Sequence, residues 1–147
     1  MTDKRCVLVS ACLLGENCKY NGKNNYNQDV IDYVADKEVI PICPEILAGL
    51  PTPREPAELK DGCVYDISGQ NIHEIYEKGV TTAMDIIVDQ KIDLAILQSR
   101  SPSCGVNQVY DGTFRGKKVA GRGLFAQVLL KEGYRVVDAE DINKMKH

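Results

Sequence analysis

The run Cys6-Val7-Leu8-Val9-Ser10-Ala11-Cys12-Leu13-Leu14-Gly15 decides how the rest of the chain is read. Val7-Leu8-Val9 is continuously apolar and ends in Ser-Ala-Cys and then a glycine, the pattern of a strand covered on both faces. Such a strand belongs in a parallel sheet with helices on either side. The next segments agree. A loop rich in Asn and Gly over residues 16–27 leads to Val30, Ile31, Val34 and Ala35 at helical spacing. Residues 38–42 then read as a second short apolar strand that stops at Cys43-Pro44.

Five of the six prolines fall between residues 41 and 56, so residues 44–61 are expected to be neither helix nor central strand but an excursion. Residues 63–67, the turn Ser68-Gly69 and residues 70–72 suggest a small hairpin. Ile72, Ile75, Tyr76, Val80, Ala83, Ile86 and Ile87 hold one apolar stripe through a long helix, with Asn71 as N-cap and Gly79 as a tolerated weak point. Residues 93–97 make a third buried strand, and Ser99-Arg100-Ser101-Pro102-Ser103-Cys104-Gly105 is too broken to continue it. After a second loop to about residue 121, Leu124, Phe125, Val128 and Leu129 mark a helix ending at Gly133. Residues 134–137 make a fourth strand before a short polar tail.

Strands alternating with helices predict an α/β fold of three layers: a mostly parallel sheet of four to five strands, helices on both faces, and a small hairpin insertion. The 147 residues are expected to form one domain, with no internal repeat. In open sheets of this kind, ligands bind beyond the carboxyl ends of the strands, where the strand order reverses.

Composition narrows the partners. The net charge is −3 and the pI is near 5.4, which argues against a broad face for nucleic acid or anionic lipid. The densest basic stretch, Arg115, Lys117, Lys118 and Arg122, reads as a solvated loop and helix entry. Lys4 and Arg5 before an apolar run ending in Val9-Ser10-Ala11-Cys12 imitate a lipoprotein leader, but only residues 6–11 separate Arg5 from Cys12. That is short of the roughly 7 to 15 residues a signal core needs. No run approaches the roughly 18 apolar residues of a membrane span, so the expected compartment is the cytoplasm, where thiols stay reduced and act as ligands or catalysts.

Six cysteines therefore need a chemical explanation. Cys12, Cys43 and Cys104 each follow a different strand and can converge on one sheet edge. Cys6 sits about 20 Å away at the other end of the first strand, at about 3.3 Å per residue, and reads as a small buried hydrophobe. Three thiolates gathered in a reducing compartment are most simply held by a metal or an iron-sulfur cluster. The two histidines, His73 early in the long helix and the terminal His147, offer no Cys₂His₂ arrangement, and no C-x-x-C pair is present. Cys43 precedes Pro44, as in ferredoxin-type runs, and the serines around Cys104 can point hydroxyls and turn amides at cluster sulfides. Three ligands on a four-iron cubane leave one iron open as a Lewis acid.

Five blocks occur in order: Val-Ser-Ala-Cys-Leu-Leu-Gly at 9–15, Cys-Lys-Tyr-Asn-Gly at 18–22, Cys-Pro-Glu-Ile-Leu-Ala-Gly-Leu-Pro-Thr-Pro-Arg at 43–54, Arg-Ser-Pro-Ser-Cys-Gly at 100–105 and Tyr-Asp-Gly-Thr-Phe at 110–114. Together they resemble the thiouracil desulfidase family in its short, single-domain form, over about residues 7–133. The resemblance implies a non-redox desulfidase with a 4Fe-4S cluster held by three cysteines, here Cys12, Cys43 and Cys104. The open iron takes the sulfur of a thiolated pyrimidine, water replaces it on the ring, and sulfide leaves. Ala48, Gln98 and Glu55 depart from the glycine, lysine and proline frequent in the family; they flank the pocket loops and are not ligands.

The reaction also needs a proton manager, and Glu45, two residues after Cys43, is the best-placed carboxylate. Ser101 is the next candidate as a partner for substrate or water, with Ser103 behind it, and Arg54 is a candidate anchor for a pyrimidine carbonyl or a phosphate. Cys18 is within a loop's reach of the cluster as a possible resting-state ligand, but reads first as a plain loop thiol. Cys63 reads as structural and Asp111 as a turn residue. The acidic balance points to a small thiolated base or nucleoside over thiolated tRNA. Two other readings are a closed four-cysteine metal module completed by Cys18 or Cys63, and a metal-free sulfurtransferase using Cys104.

Overall fold

Strand β1 (Cys6–Ser10) is buried at every position because it has a neighbour on each side and a helical layer on each face. The computed structural model describes residues 6–145; Lys4, Arg5 and His147 lie outside them. β1 pairs in parallel with β2 (Glu38–Ile42) from Cys6 opposite Glu38 to Ser10 opposite Ile42. On its other side it pairs in parallel with β5 (Ile92–Leu97), which in turn pairs with β8 (Val136–Asp138). The order β2-β1-β5-β8 is parallel throughout, which bears out the α/β expectation with four strands in the main sheet.

Period-two alternation divides the core. Val7, Val9, Leu94 and Ile96 face α1 (Gln28–Val34) and the terminal 3₁₀ segment Ala139–Met145, which contributes Ala139 and Ile142. Leu8, Ala95 and Leu97 face α3 (His73–Ile87) and α4 (Leu124–Lys131). The chain steps outward from β1 to β2, then returns to lay β5 on β1's other flank, so the strand order reverses between β1 and β5. That reversal opens a crevice at their carboxyl ends. The expected polar tail is the 3₁₀ segment that closes one face, and the last strand begins at Val136 rather than Tyr134. Among the described residues no helix is long and apolar enough to cross a membrane.

Three expectations need correction. The proline-rich stretch contains a short helix, α2 (Pro44–Leu47), because Pro44 stands at its start, where a missing N–H costs nothing. The hairpin is formed by β3 (Ala57–Lys60) and β4 (Cys63–Asp66). Its turn is Asp61-Gly62, with φ of +51° and +82°, the left-handed pair that tight hairpins favour. The turn at Ser68-Gly69 exists, closed by Gly69 N–H donating to Asp66 C=O at 2.9 Å, but the returning residues make only the single bridge Tyr65–Asn71. The loop before residue 121 also holds a second hairpin, β6 (Gln108–Tyr110) with β7 (Lys118–Ala120).

Helix starts follow the sequence more closely. Asn27 caps α1, its Oδ1 accepting from Val30 N–H at 3.2 Å, whereas the N-cap of α3 is Ile72 and not Asn71, which stands one residue earlier and accepts from His73 N–H at 2.9 Å. Gly79 is more than a tolerated weak point. α3 crosses α2 so closely that a Cβ at residue 79 would stand 2.1 Å from Pro44 O. A glycine-to-alanine change inside a helix ordinarily stabilises by about 0.5–1 kcal/mol, but here the clash is with backbone and reverses the sign. We expect Gly79→Ala to destabilise by about 2 kcal/mol, read as a lowered urea midpoint with unchanged slope.

Candidate active site

The carboxyl ends of β1, β2 and β5 open into a cavity of about 550 Å³. Cys12 enters from the 3₁₀ turn Ala11–Leu14 that follows β1, Cys43 from the junction between β2 and α2, and Cys104 from the loop after β5. The structure thus brings together the three cysteines singled out from the sequence. Cys6 is buried at the far end of β1, as expected, and Cys63 stands in β4, away from the cavity lining.

Cys18 behaves differently from a plain loop thiol. It is buried against Cys12 and Cys43, and hydrogen bonding from it lowers both thiols, Cys12 to about 7, while its own is pushed up. Asn25 Nδ2 donates to Cys12 Sγ at 3.4 Å, which adds to the lowering. Cys104 is pushed the other way, by burial first and by the charge of Glu45 second. All six cysteines are free thiols. Among the described residues no three His, Cys, Asp or Glu side chains are gathered tightly enough for a single metal ion. The thiols ring a cavity and do not form an ion-sized cage.

Glu45 lies in the first turn of α2 and is buried at the cavity floor, and Ser103 Oγ donates to both its carboxylate oxygens at 3.0 Å. Ser101 Oγ stands 2.9 Å from Ser103 Oγ and accepts from the N–H groups of Ser103 at 3.1 Å and Cys104 at 3.0 Å. With its proton directed at Glu45, Ser103 accepts from Ser101, so the hydroxyls form a directed relay Ser101 → Ser103 → Glu45. Ser103 is wholly buried and lies 3.6 Å from Cys104 Sγ. Ser101 is partly exposed to the cavity and also pins the loop turn.

That loop is fixed from two sides. The first amides of α4 have no side-chain cap; Leu124, Phe125 and Ala126 N–H donate to the carbonyls of Pro102 and Ser103 at 2.8–3.2 Å. A Cβ at Gly123 would stand 2.4 Å from Ser103 C, so only glycine admits this approach. On the other side, Ser99 Oγ donates to buried Asp138, and Arg100 forms a two-point ion pair with Glu140 at 2.7 and 3.0 Å.

Arg54 lines the cavity, yet its guanidinium donates to the carbonyls of Cys18 at 2.9 Å and Pro51 at 3.2 Å and to Thr52 Oγ1 at 3.2 Å. It braces the Cys18 loop from the cavity wall. His73 is turned away from the cavity, with Nδ1 accepting from Val64 N–H at 3.3 Å and Nε2 beside Glu77. Asp111 is the expected turn residue, accepting from Thr113 N–H at 3.0 Å.

Sequence reasoning missed Tyr76 and Asn25. Tyr76 belongs to the apolar stripe of α3, so it reads as core, but it lines the cavity, and burial with the nearby Glu45 charge pushes its hydroxyl pKa up. Asn25 is one of several asparagines in a polar loop, and nothing in their order singles it out.

Comparisons with known proteins agree with this architecture. A family model described as 2-thiouracil desulfurase matches residues 7–141. The uncharacterized protein YbbK of Bacillus subtilis (strain 168) is 37% identical over 147 residues, covering 93% of this chain and 97% of that protein. The solved structure of the 4Fe-4S-dependent thiouracil desulfidase TudS matches with a TM-score of 0.87 and 32% identity, over 96% of this chain and 95% of that one. The resemblance expected from five short blocks therefore extends over nearly the whole chain and its fold, and the chain belongs to the 2-thiouracil desulfurase family.

Proposed function

We propose that this protein is a non-redox desulfidase that converts a small thiolated pyrimidine such as thiouracil, with water, into the oxo-pyrimidine and sulfide. The observation that carries the reading is the placement of Cys12, Cys43 and Cys104, from three strand ends, around one cavity whose floor is a buried carboxylate. The donor set suits a 4Fe-4S cluster: soft sulfur ligands, two with lowered thiols, and a hydrogen-bond donor at the sulfur of Cys12. TudS, with the same fold, depends on such a cluster. When bound, the cluster supplies an open, thiophilic iron that polarises the carbon–sulfur bond of the substrate.

The chain's own residues manage protons and position. Glu45 takes a proton from the attacking water, and its burial beside Ser103 keeps that carboxylate out of bulk solvent. Ser101 and Ser103 hold it in one orientation and carry a proton between it and the cavity. No electrons are exchanged, so the balance closes with water in and hydrogen sulfide out. The reaction class is carbon–sulfur bond hydrolysis, and six free thiols suit a reducing cytoplasm.

The test is anaerobic reconstitution with iron and sulfide, counting both per chain, followed by sulfide release from 2- and 4-thiouracil and their nucleosides. Loaded protein that releases none from any of these overturns the reading. The proximity of Cys18 to Cys12 and Cys43 favours the four-cysteine module as the rival. Cys18→Ala separates the two: three-cysteine ligation predicts unchanged iron per chain, and a closed module predicts its loss.

A further inference from the structure

Both hairpins stand outside the main sheet and meet at the mouth of the cavity, with β3 packed against β6. One side chain locks them together. Glu58, on β3, accepts from the backbone N–H of Gly112 at 3.0 Å and of Phe114 at 3.1 Å. The approach is so close that a Cβ at Gly112 would stand 2.6 Å from Lys60 Cβ.

Between these clamped residues the chain adopts an uncommon conformation. Phe114 has φ of +58°, the left-handed region, where a bulky side chain is an outlier. Such a conformation persists only where its surroundings over-determine it. The two bonds to Glu58 do so, together with the turn in which Asp111 accepts from both the N–H and the hydroxyl of Thr113, at 3.0 and 2.6 Å. The chain has two phenylalanines, and Phe125 is wholly buried in the core. Phe114 is instead half-buried and lines the same cavity as Glu45, the serines and the thiols.

We propose that Phe114 is the aromatic wall on which the pyrimidine ring stacks, and that Glu58 is the positioning residue that holds it there. This rests on the thiopyrimidine reading above. A flat, neutral ring needs a polarisable face as well as polar contacts at its edge, and an aromatic side chain supplies that face at little cost in conformational entropy. The backbone held by Glu58 sets this side chain in the lining of the cavity.

Uracil is the probe, because it shares the ring and lacks the sulfur, so its binding reports the wall independently of any iron–sulfur bond. In the iron-loaded protein, Phe114→Leu is expected to raise the Kd for uracil about 10-fold and KM for thiouracil in parallel, with kcat the less affected. Phe114→Tyr, which keeps a ring, should bind like wild type. Glu58→Ala should mimic Phe114→Leu, whereas Glu58→Gln, which keeps an acceptor for both amides, should bind like wild type. Thermal midpoints of each variant separate loss of the wall from loss of the fold.

The proposal is overturned if wild type binds no uracil, if Phe114→Leu binds it as tightly as wild type, or if Phe114→Tyr is as impaired as Phe114→Leu. Sulfide release by wild type with Phe114→Leu unaffected would sink this inference and leave the desulfidase reading standing. No sulfide from any thiopyrimidine, with uracil binding that still depends on Phe114, would do the reverse.

Discussion

Glu45→Gln in the iron-loaded protein should lower kcat for sulfide release by about 10²- to 10⁴-fold while iron and acid-labile sulfide per chain stay at the wild-type level. Glutamine has nearly the shape of glutamate and still offers Ser103 an oxygen acceptor, so the hydroxyl relay from Ser101 keeps its geometry. What it cannot do is take a proton from water. A role confined to holding the serine loop would leave activity within a few-fold, and that result would remove Glu45 from the mechanism. Ser103→Ala is a less telling variant, because it leaves a buried carboxylate without its donor and perturbs structure and chemistry together.

The second large effect is at Cys104. Cys104→Ala should abolish cluster loading, measured as iron per chain after anaerobic reconstitution, and take sulfide release to background. The substitution removes only a small buried sulfur, so the fold should survive with a modest fall in thermal midpoint. Cys104 is also the most demanding of the three proposed ligands, because burial and the neighbouring Glu45 charge both oppose its thiolate. Loading should therefore depend on iron replacing the thiol proton, which couples metal uptake to proton release. Cys63→Ala, outside the cavity lining, is the control and should load normally. Full loading of Cys104→Ala would show that the ligand set had been drawn around the wrong thiols, with Cys18 the first replacement to test.

What could be read from the sequence depended on what buries each segment. β1 and β5 are covered on both faces, so they appear as unbroken apolar runs, and the stripe of α3 is covered on one side, so its period is plain. The hairpin was misplaced because two turn signals compete within a few residues. Asp61-Gly62 and Ser68-Gly69 both turn the chain, but only the first has strands on both sides. β7 left no trace, since Lys118, Val119 and Ala120 are all exposed and pair through backbone alone. In the same way the three cysteines were legible because strand ends place them. The hydroxyl relay, the brace from Arg54 and the clamp at Glu58 were not, because each is a tertiary hydrogen bond between segments tens of residues apart.

The way α4 begins has a consequence for how the site is maintained. First turns of helices usually fray, since their amides have only water or a single side chain to hold them. Here those amides are satisfied by the carbonyls of the serine loop, so loop and helix open as one cooperative unit or not at all. Phe125, at the start of that helix, is wholly buried in the core. Loosening the loop around Cys104 would thus disturb a core aromatic as well. Amide hydrogens at the start of α4 should accordingly exchange as slowly as those in the middle of the sheet.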